Sequence, residues 1–185
     1  MLIILSGVAG AGKDTIKNEL LNKENSKYTT FASYTSRKQR NIDTLGVTYN
    51  FVSKEEFVTM IENNEFYEYS MHHNNYYGTS KKILDKRIEE GKIIVKDIDV
   101  NGTEILKIAL KDKIKIVSIF LKISSEEMLK RLHERDDKPS EEEIELRMDR
   151  FNYEQSKMDM YDYVIENIDL QKTIKKIEKI VEENI

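Results

Sequence analysis

Seven residues near the start constrain this chain more than anything else in it. Gly7-Val8-Ala9-Gly10-Ala11-Gly12-Lys13 is a G-x-x-x-x-G-K string set between an apolar run, Leu2-Ile3-Ile4-Leu5, and a helical pattern. That context separates a phosphate-binding loop from an ordinary Gly-rich strand-to-helix turn that binds nothing. Glycines let backbone N–H groups turn inward around phosphate oxygens, the helix N-terminus adds a favourable dipole, and Lys13 supplies a point charge for the β and γ phosphates. The strict pattern places Ser or Thr after the lysine, whereas here Asp14 stands there and the hydroxyl follows at Thr15. A carboxylate at that point could help to hold Mg²⁺ or could repel a triphosphate. We expect Thr15 to assist the loop while Asp14 faces the metal or solvent.

The chain continues the alternation that this unit begins. Ile93-Ile94-Val95 and the run from Ile114 to Leu121 have the β-branched content of central parallel strands. Helices are predicted over residues 13–23, with Ile16, Leu20 and Leu21 apolar, over 80–90, ending at Gly91, and over 125–134, with an acidic first turn. A last helix carries Leu170, Ile174, Ile177 and Val181 on one stripe. Strand, helix, strand order predicts an α/β fold, a parallel sheet flanked by helices on both faces. Residues 33–77 break that order. Thr48 to Val52 and Phe66 to Tyr69 read as short strands around a helix starting at Ser53, where Ser53-x-x-Glu56 has capping-box spacing, so a small antiparallel insertion is expected. Residues 131–145, charged and holding the lone Pro139, read as a mobile lid. With one Pro, seven Gly and no internal repeat, a single domain is expected.

Composition narrows the chemistry. The chain has 185 residues, and 30 Lys and Arg against 34 Asp and Glu leave a formal net charge of -4. That balance argues against a nonspecific polyanion binder, so no nucleic-acid partner is expected and phosphate recognition must come from locally placed cations. Zero Cys removes disulfides, thiolate zinc sites and thiol nucleophiles, and His72, His73 and His133 show no metal-ligand spacing. The run from Met1 to Leu5 is too short for a secretory signal, and no stretch approaches the roughly 18 apolar residues of a membrane span. A cytoplasmic location without membrane contact is the expectation.

A second anion site is legible downstream, in Ser33-Tyr34-Thr35-Ser36-Arg37-Lys38-Gln39-Arg40. Arg37 and Arg40, three apart, can converge on one anion in a turn, and guanidinium forks match phosphate oxygens bidentately. Tyr49 and Tyr77 could add hydroxyl donors. Taken alone, the arginines would be a solvated basic patch and the tyrosines sheet packing. Together with Glu65-Phe66-x-Glu68, Asn75-Tyr76-Tyr77-Gly78-Thr79, Asp97-Ile98-Asp99-Val100-Asn101-Gly102 and Tyr161-Asp162-Tyr163-Val164-Ile165-x-Asn167, these strings resemble the guanylate kinases in order and spacing, nearly end to end.

The resemblance implies a P-loop NTPase-type core of about residues 1–32, 80–123 and 151–185, a mixed α+β insertion binding the nucleoside monophosphate at about 33–79, and a helical lid at about 124–150. It implies transfer of the γ-phosphoryl group of Mg-ATP to GMP, and to dGMP. Gly7, Gly10, Ala11, Gly12, Lys13, Asp14 and Thr15 would hold ATP, with Asn167 near its adenine. Arg37, Arg40, Tyr49 and Tyr77 would hold the GMP phosphate, and Ser33, Glu68, Thr79 and Asp99 would surround the base. Asp97, at a strand end, would join Asp14 and Thr15 in organising Mg²⁺, its alternative role being a cap on the next helix. Lys13, Arg131, Arg135 and Arg147 would act on the transferring group. The spacing from Arg135 to Arg147 is one residue longer than the family's, and Glu134 and Asp136 stand where Gly is usual. Arg87 and Arg150 are read as surface residues. The base assignment has independent support. Guanine offers N1–H and N2–H₂ donors beside an O6 acceptor, so a carboxylate such as Glu68 can accept two hydrogen bonds where adenine offers one donor. A binding module without turnover and a kinase for another monophosphate are the alternatives.

Overall fold

The computed structural model describes residues 1–40, 45, 46, 48–72, 74–134 and 139–185 of the chain, His72 by its backbone alone. Strand β1 (Leu2–Gly7) is buried along its whole length. It lies at the centre of a five-stranded sheet, between β7 (Ile93–Asp97) and β8 (Ile116–Lys122), with β2 (Tyr28–Thr29) and β9 (Tyr163–Glu166) at the edges. Every pairing in this sheet is parallel.

Alternation along the strands sorts the core into two layers. Ile3 and Leu5 face one way and pack with Ile16 and Leu20 of α1 (Lys13–Leu21) and with Ile174, Ile177 and Val181 of α7 (Leu170–Asn184). Leu2 and Ile4 face the other way, against Leu84 of α3 (Lys81–Glu89) and Leu106 and Leu110 of α4 (Val100–Leu110). Because the strands are parallel, β1 and β7 end on the same side, which puts the phosphate loop and Asp97 next to one another. Helix α1 stops at Leu21 rather than at Lys23, and Gly91, with φ +71°, follows the C-cap of α3 as expected.

A second, four-stranded sheet runs in the order β4 (Tyr49–Phe51), β3 (Ser33–Thr35), β6 (Asn75–Ser80), β5 (Phe66–His72). The expected antiparallel arrangement holds for β3 with β6 and β5 with β6, but β3 and β4 are parallel. The reason is the connection between them, residues 36–48, which has the dozen or so residues that a parallel crossover requires. Helix α2 (Lys54–Glu62) starts at Ser53 with the full capping box, and its Phe57 stacks on Phe66 and Tyr76 at centroid distances of 4.6 and 5.2 Å. Beyond β8 come α5 (Ser125–His133) and α6 (Glu141–Ser156), the latter capped by a second box at Ser140 and Glu143 and continuing past Arg150. Among the described residues, no helix is long and apolar enough to cross a membrane.

Candidate active site

Helices α2, α4, α5, α6 and α7 each begin on a Ser or Asp whose side chain accepts from the first turn; α3 begins on Ser80 without such a bond, and α1 begins on Gly12, which has no side chain to supply one. Its first-turn N–H groups are thereby left for an anion. Gly12 has φ +88°, and a Cβ there would stand 2.6 Å from Asn167 Nδ2. That amide donates to the Ala11 carbonyl at 2.8 Å, so Asn167 supports the loop from behind, and its buried Oδ1 has no hydrogen-bond partner among the described residues. Arg131 also braces the loop. It donates to Gly10 O at 3.2 Å, to Asn167 O at 2.8 Å and to Glu127 Oε1 at 2.7 Å. Lys13 folds over the loop, its Nζ donating to Gly7 O at 2.6 Å and Val8 O at 3.0 Å.

Asp14 and Asp97 meet through a residue that sequence reasoning passed over. Lys17 Nζ sits 2.7 Å from Asp14 Oδ1 and 2.6 Å from Asp97 Oδ1. Burial pulls the Lys17 ammonium down, but the charges of Asp97 and Asp14 outweigh it and hold its pKa above the ordinary value. Burial would push the Asp97 carboxyl up, yet the ammonium groups of Lys96 and Lys17 hold it down at about 2. The capping role considered for Asp97 belongs instead to Asp99, whose Oδ1 accepts from Asn101 N and Gly102 N at 2.8 and 3.0 Å. Thr15 is exposed on α1.

Two adjoining cavities open beside these groups. The larger, about 1230 Å³, has Asp14, Arg37 and Arg40 on its wall, and the smaller, about 280 Å³, has Gly7, Lys13, Ser33, Glu68 and Asp99. Tyr49, Tyr77, Lys96, Asp97 and Arg147 belong to both walls. The insertion sets the arginines. Thr35 Oγ1 donates to Tyr76 O at 2.8 Å and accepts from Arg37 N at 3.1 Å, and the Arg37 guanidinium lies 5.4 Å from the Tyr49 ring centroid. Arg40 Nη2 approaches Glu143 Oε1 of α6 at 3.7 Å, so the insertion and the helical segment face each other across the larger cavity. Tyr49 packs edge-on against Tyr77 at 5.8 Å, and burial, with the nearby charges of Asp97 and Asp14, pushes its hydroxyl pKa up, which keeps it a neutral donor.

Glu68 is only 6% exposed and accepts from Thr79 Oγ1 at 2.6 Å. Thr79 is fully buried, so its hydroxyl is committed to Glu68, and Ser33 is the hydroxyl residue of this group on the cavity wall. Ser70 Oγ donates to Asp99 Oδ2 at 2.9 Å, tying β5 to the start of α4. The fit there is tight: a Cβ on Gly102 would lie 2.9 Å from Glu68 Oε2. Neither of these two cavities is lined by Thr15, Asn167 or Arg131. Arg135 lies outside the described residues. Arg150, read as surface, instead lines the smaller cavity one turn of α6 beyond Arg147, a placement that the i, i+3 spacing signals.

A family profile described as guanylate kinase matches residues 1–184. Guanylate kinase of Helicobacter pylori is 41% identical over 172 residues, covering 93% of this chain and 82% of that protein. Guanylate kinase of Rickettsia felis is 35% identical over 98% of this chain and 92% of its own length. A crystal structure of guanylate kinase from Anaplasma phagocytophilum superposes with a TM-score of 0.79 at 27% identity, covering all of this chain and 85% of that one.

Proposed function

The chain belongs to the guanylate kinase family, and on that footing we propose how its residues divide the transfer of the γ-phosphoryl group of ATP to GMP, giving ADP and GDP. The observation that carries this division is the shared wall of the two cavities, with Lys13 on the smaller, Arg37 and Arg40 on the larger, and buried Glu68 on the wall of the smaller one. The acceptor phosphate is already an anionic nucleophile near neutral pH, so no general base is needed. The protein's task is to bring two like-charged groups into line and offset the charge that develops.

The uncapped start of α1 receives the ATP phosphates, and Lys13 leaves the carbonyls of Gly7 and Val8 for phosphate oxygens. Arg37, Arg40, Tyr49 and Tyr77 hold the phosphate of GMP, or of dGMP. Glu68 accepts from guanine N1–H and N2–H₂, with Thr79 fixing its carboxylate from behind and Ser33 beside it. Arg147 reaches the transferring group from α6. Arg131 acts as a positioning residue through the loop, and Arg135 is assigned with it from the sequence alone. Approach of the insertion and the helical segment excludes water, which would otherwise take the phosphoryl group.

Among the described residues, no three or more His, Cys, Asp or Glu form a ready-made metal cluster. A hard divalent ion held by one or two carboxylates and the substrate phosphates nevertheless fits Asp14 and Asp97, because the space between them is already filled by a cation, the Lys17 ammonium. Bound there, Mg²⁺ would offset charge on the β and γ phosphate oxygens. Lys17→Met should leave the two carboxylates facing one another, tightening Mn²⁺ binding to the nucleotide-free protein by about tenfold, with Asp14→Asn in that background removing the gain. Electron paramagnetic resonance of Mn²⁺ measures this, and equal affinity in wild type and Lys17→Met would exclude Asp14 and Asp97 as the pair.

A coupled ADP-release assay with GMP, dGMP, AMP, CMP and UMP tests the whole reading. Turnover should be confined to GMP and dGMP. Preference for a pyrimidine would remove the Glu68 assignment, and no turnover with any acceptor would return the fold to a binding module.

A further inference from the structure

Lys96 is a buried charge without a role in the scheme above. It sits on β7 opposite Ile4, on the sheet face that packs with Phe31, and is 3% exposed. Its Nζ lies 5.2 Å from the Phe31 ring centroid and 6.0 Å from that of Tyr49. The nearest carboxylate oxygen, Asp97 Oδ1, is 3.8 Å away, beyond hydrogen-bond reach, and is already taken by Lys17 at 2.6 Å. Lys96 makes no hydrogen bond to a described residue. An ammonium carries three donors, and one left unmatched in a protein interior is costly unless something completes it. Burial accordingly pulls its pKa down, with the charge of Asp97 opposing that pull.

What could complete it is shown by the walls it shares. Lys96 lines both cavities, and on the larger one it stands with Arg37, Arg40, Tyr49 and Tyr77. The missing partner is therefore an anion at the junction of the two cavities. We propose that Lys96 is a direct ligand of the acceptor phosphate, donating from its ammonium to a phosphate oxygen of GMP. This rests on the reading that the chain binds GMP. It makes Lys96 a substrate-binding residue additional to the arginine and tyrosine set, placed on the core sheet rather than on the insertion, so that the acceptor phosphate is gripped from two parts of the fold. The charge of Lys96 does help to hold Asp97 ionised, but that leaves its three donors unused, since the carboxylate oxygen lies 3.8 Å away and is hydrogen-bonded to Lys17.

The test compares two ligands that differ by the phosphate alone. By isothermal titration calorimetry, Lys96→Met should weaken GMP binding by about ten- to hundredfold while leaving guanosine within about twofold of wild type. The nucleotide-free variant should stay folded and melt close to wild type, since the relief of removing a buried ammonium is offset by the loss of its charge beside Asp97. Lys96→Gln, which keeps a polar end without the charge, is the second variant and should show the same split. Unchanged GMP affinity would overturn the assignment. So would a parallel loss of GMP and guanosine affinity, the mark of a pocket that has merely shifted. Wild-type protein that turns over GMP while the split is absent removes Lys96 alone, whereas wild-type protein that binds no GMP removes both this proposal and the reading beneath it.

Discussion

Lys13→Ala should lower kcat for GMP phosphorylation by about 10²–10³-fold or more, the scale on which removing one preorganised charge-stabilising donor is felt in a site closed to water. The effect should fall on kcat more than on the KM for GMP, because Lys13 is assigned to the phosphoryl donor whereas Arg37, Arg40 and Glu68 are assigned to GMP. The fold should survive. The contacts Lys13 makes here are to Gly7 and Val8 carbonyls of its own loop, and α1 is held through Ile16 and Leu20, both fully buried. Steady-state ADP release and a thermal melt distinguish these outcomes. Turnover within a few-fold of wild type would mean that the loop does not carry the phosphoryl donor.

Glu68→Gln should reduce kcat/KM for GMP by about 10²–10³-fold, because an amide offers one acceptor and presents an N–H group to guanine donors that then go unmet. Thr79 can hydrogen-bond an amide as it does the carboxylate, so little loss of stability is expected from a change made at constant size. The ATP side should be untouched, which ATP binding measured in the absence of GMP would establish. A variant that keeps its GMP preference over AMP would show that Glu68 is not the group that reads the base.

How far these assignments were legible in the sequence depends on how local each signal is. The loop from Gly7 to Lys13 is a continuous string between two elements of clear pattern, and the capping box at Ser53 and Glu56 is four residues long; both carry their structure in their own spacing. The edge strands β2 and β9, of two and four residues, are too short to show a period, and they take their form from pairing with β7 and β8. The parallel pairing of β3 with β4 is set by the course of the chain between them, which residue types do not encode.

Among candidate site residues, those in dense strings were readable, while the single charges on regular elements were not. Lys17 looks like any solvent-facing helix position until Asp97, 80 residues away in sequence, is brought to it. Lys96 did leave a trace, since it shares the alternation of Ile94 on a strand buried on both faces, where a charge is out of place without a partner. Arg131 and Thr79, assigned to touch substrate, hydrogen-bond to the loop and to Glu68 respectively. Such support cannot be told from direct contact by spacing, because a bracing residue and a ligand residue occupy neighbouring positions on the same elements.

In the proposed scheme the two phosphate sites meet across one cleft. A bisubstrate ligand, adenosine and guanosine joined 5′ to 5′ through five phosphates, tests it by calorimetry against ATP and GMP separately. Joining the two halves makes the second contact intramolecular, so one molecule per chain should bind at least about 10²-fold more tightly than either nucleotide and should displace both. Binding no tighter than ATP, with GMP still able to bind alongside, would mean that the sites do not face one another.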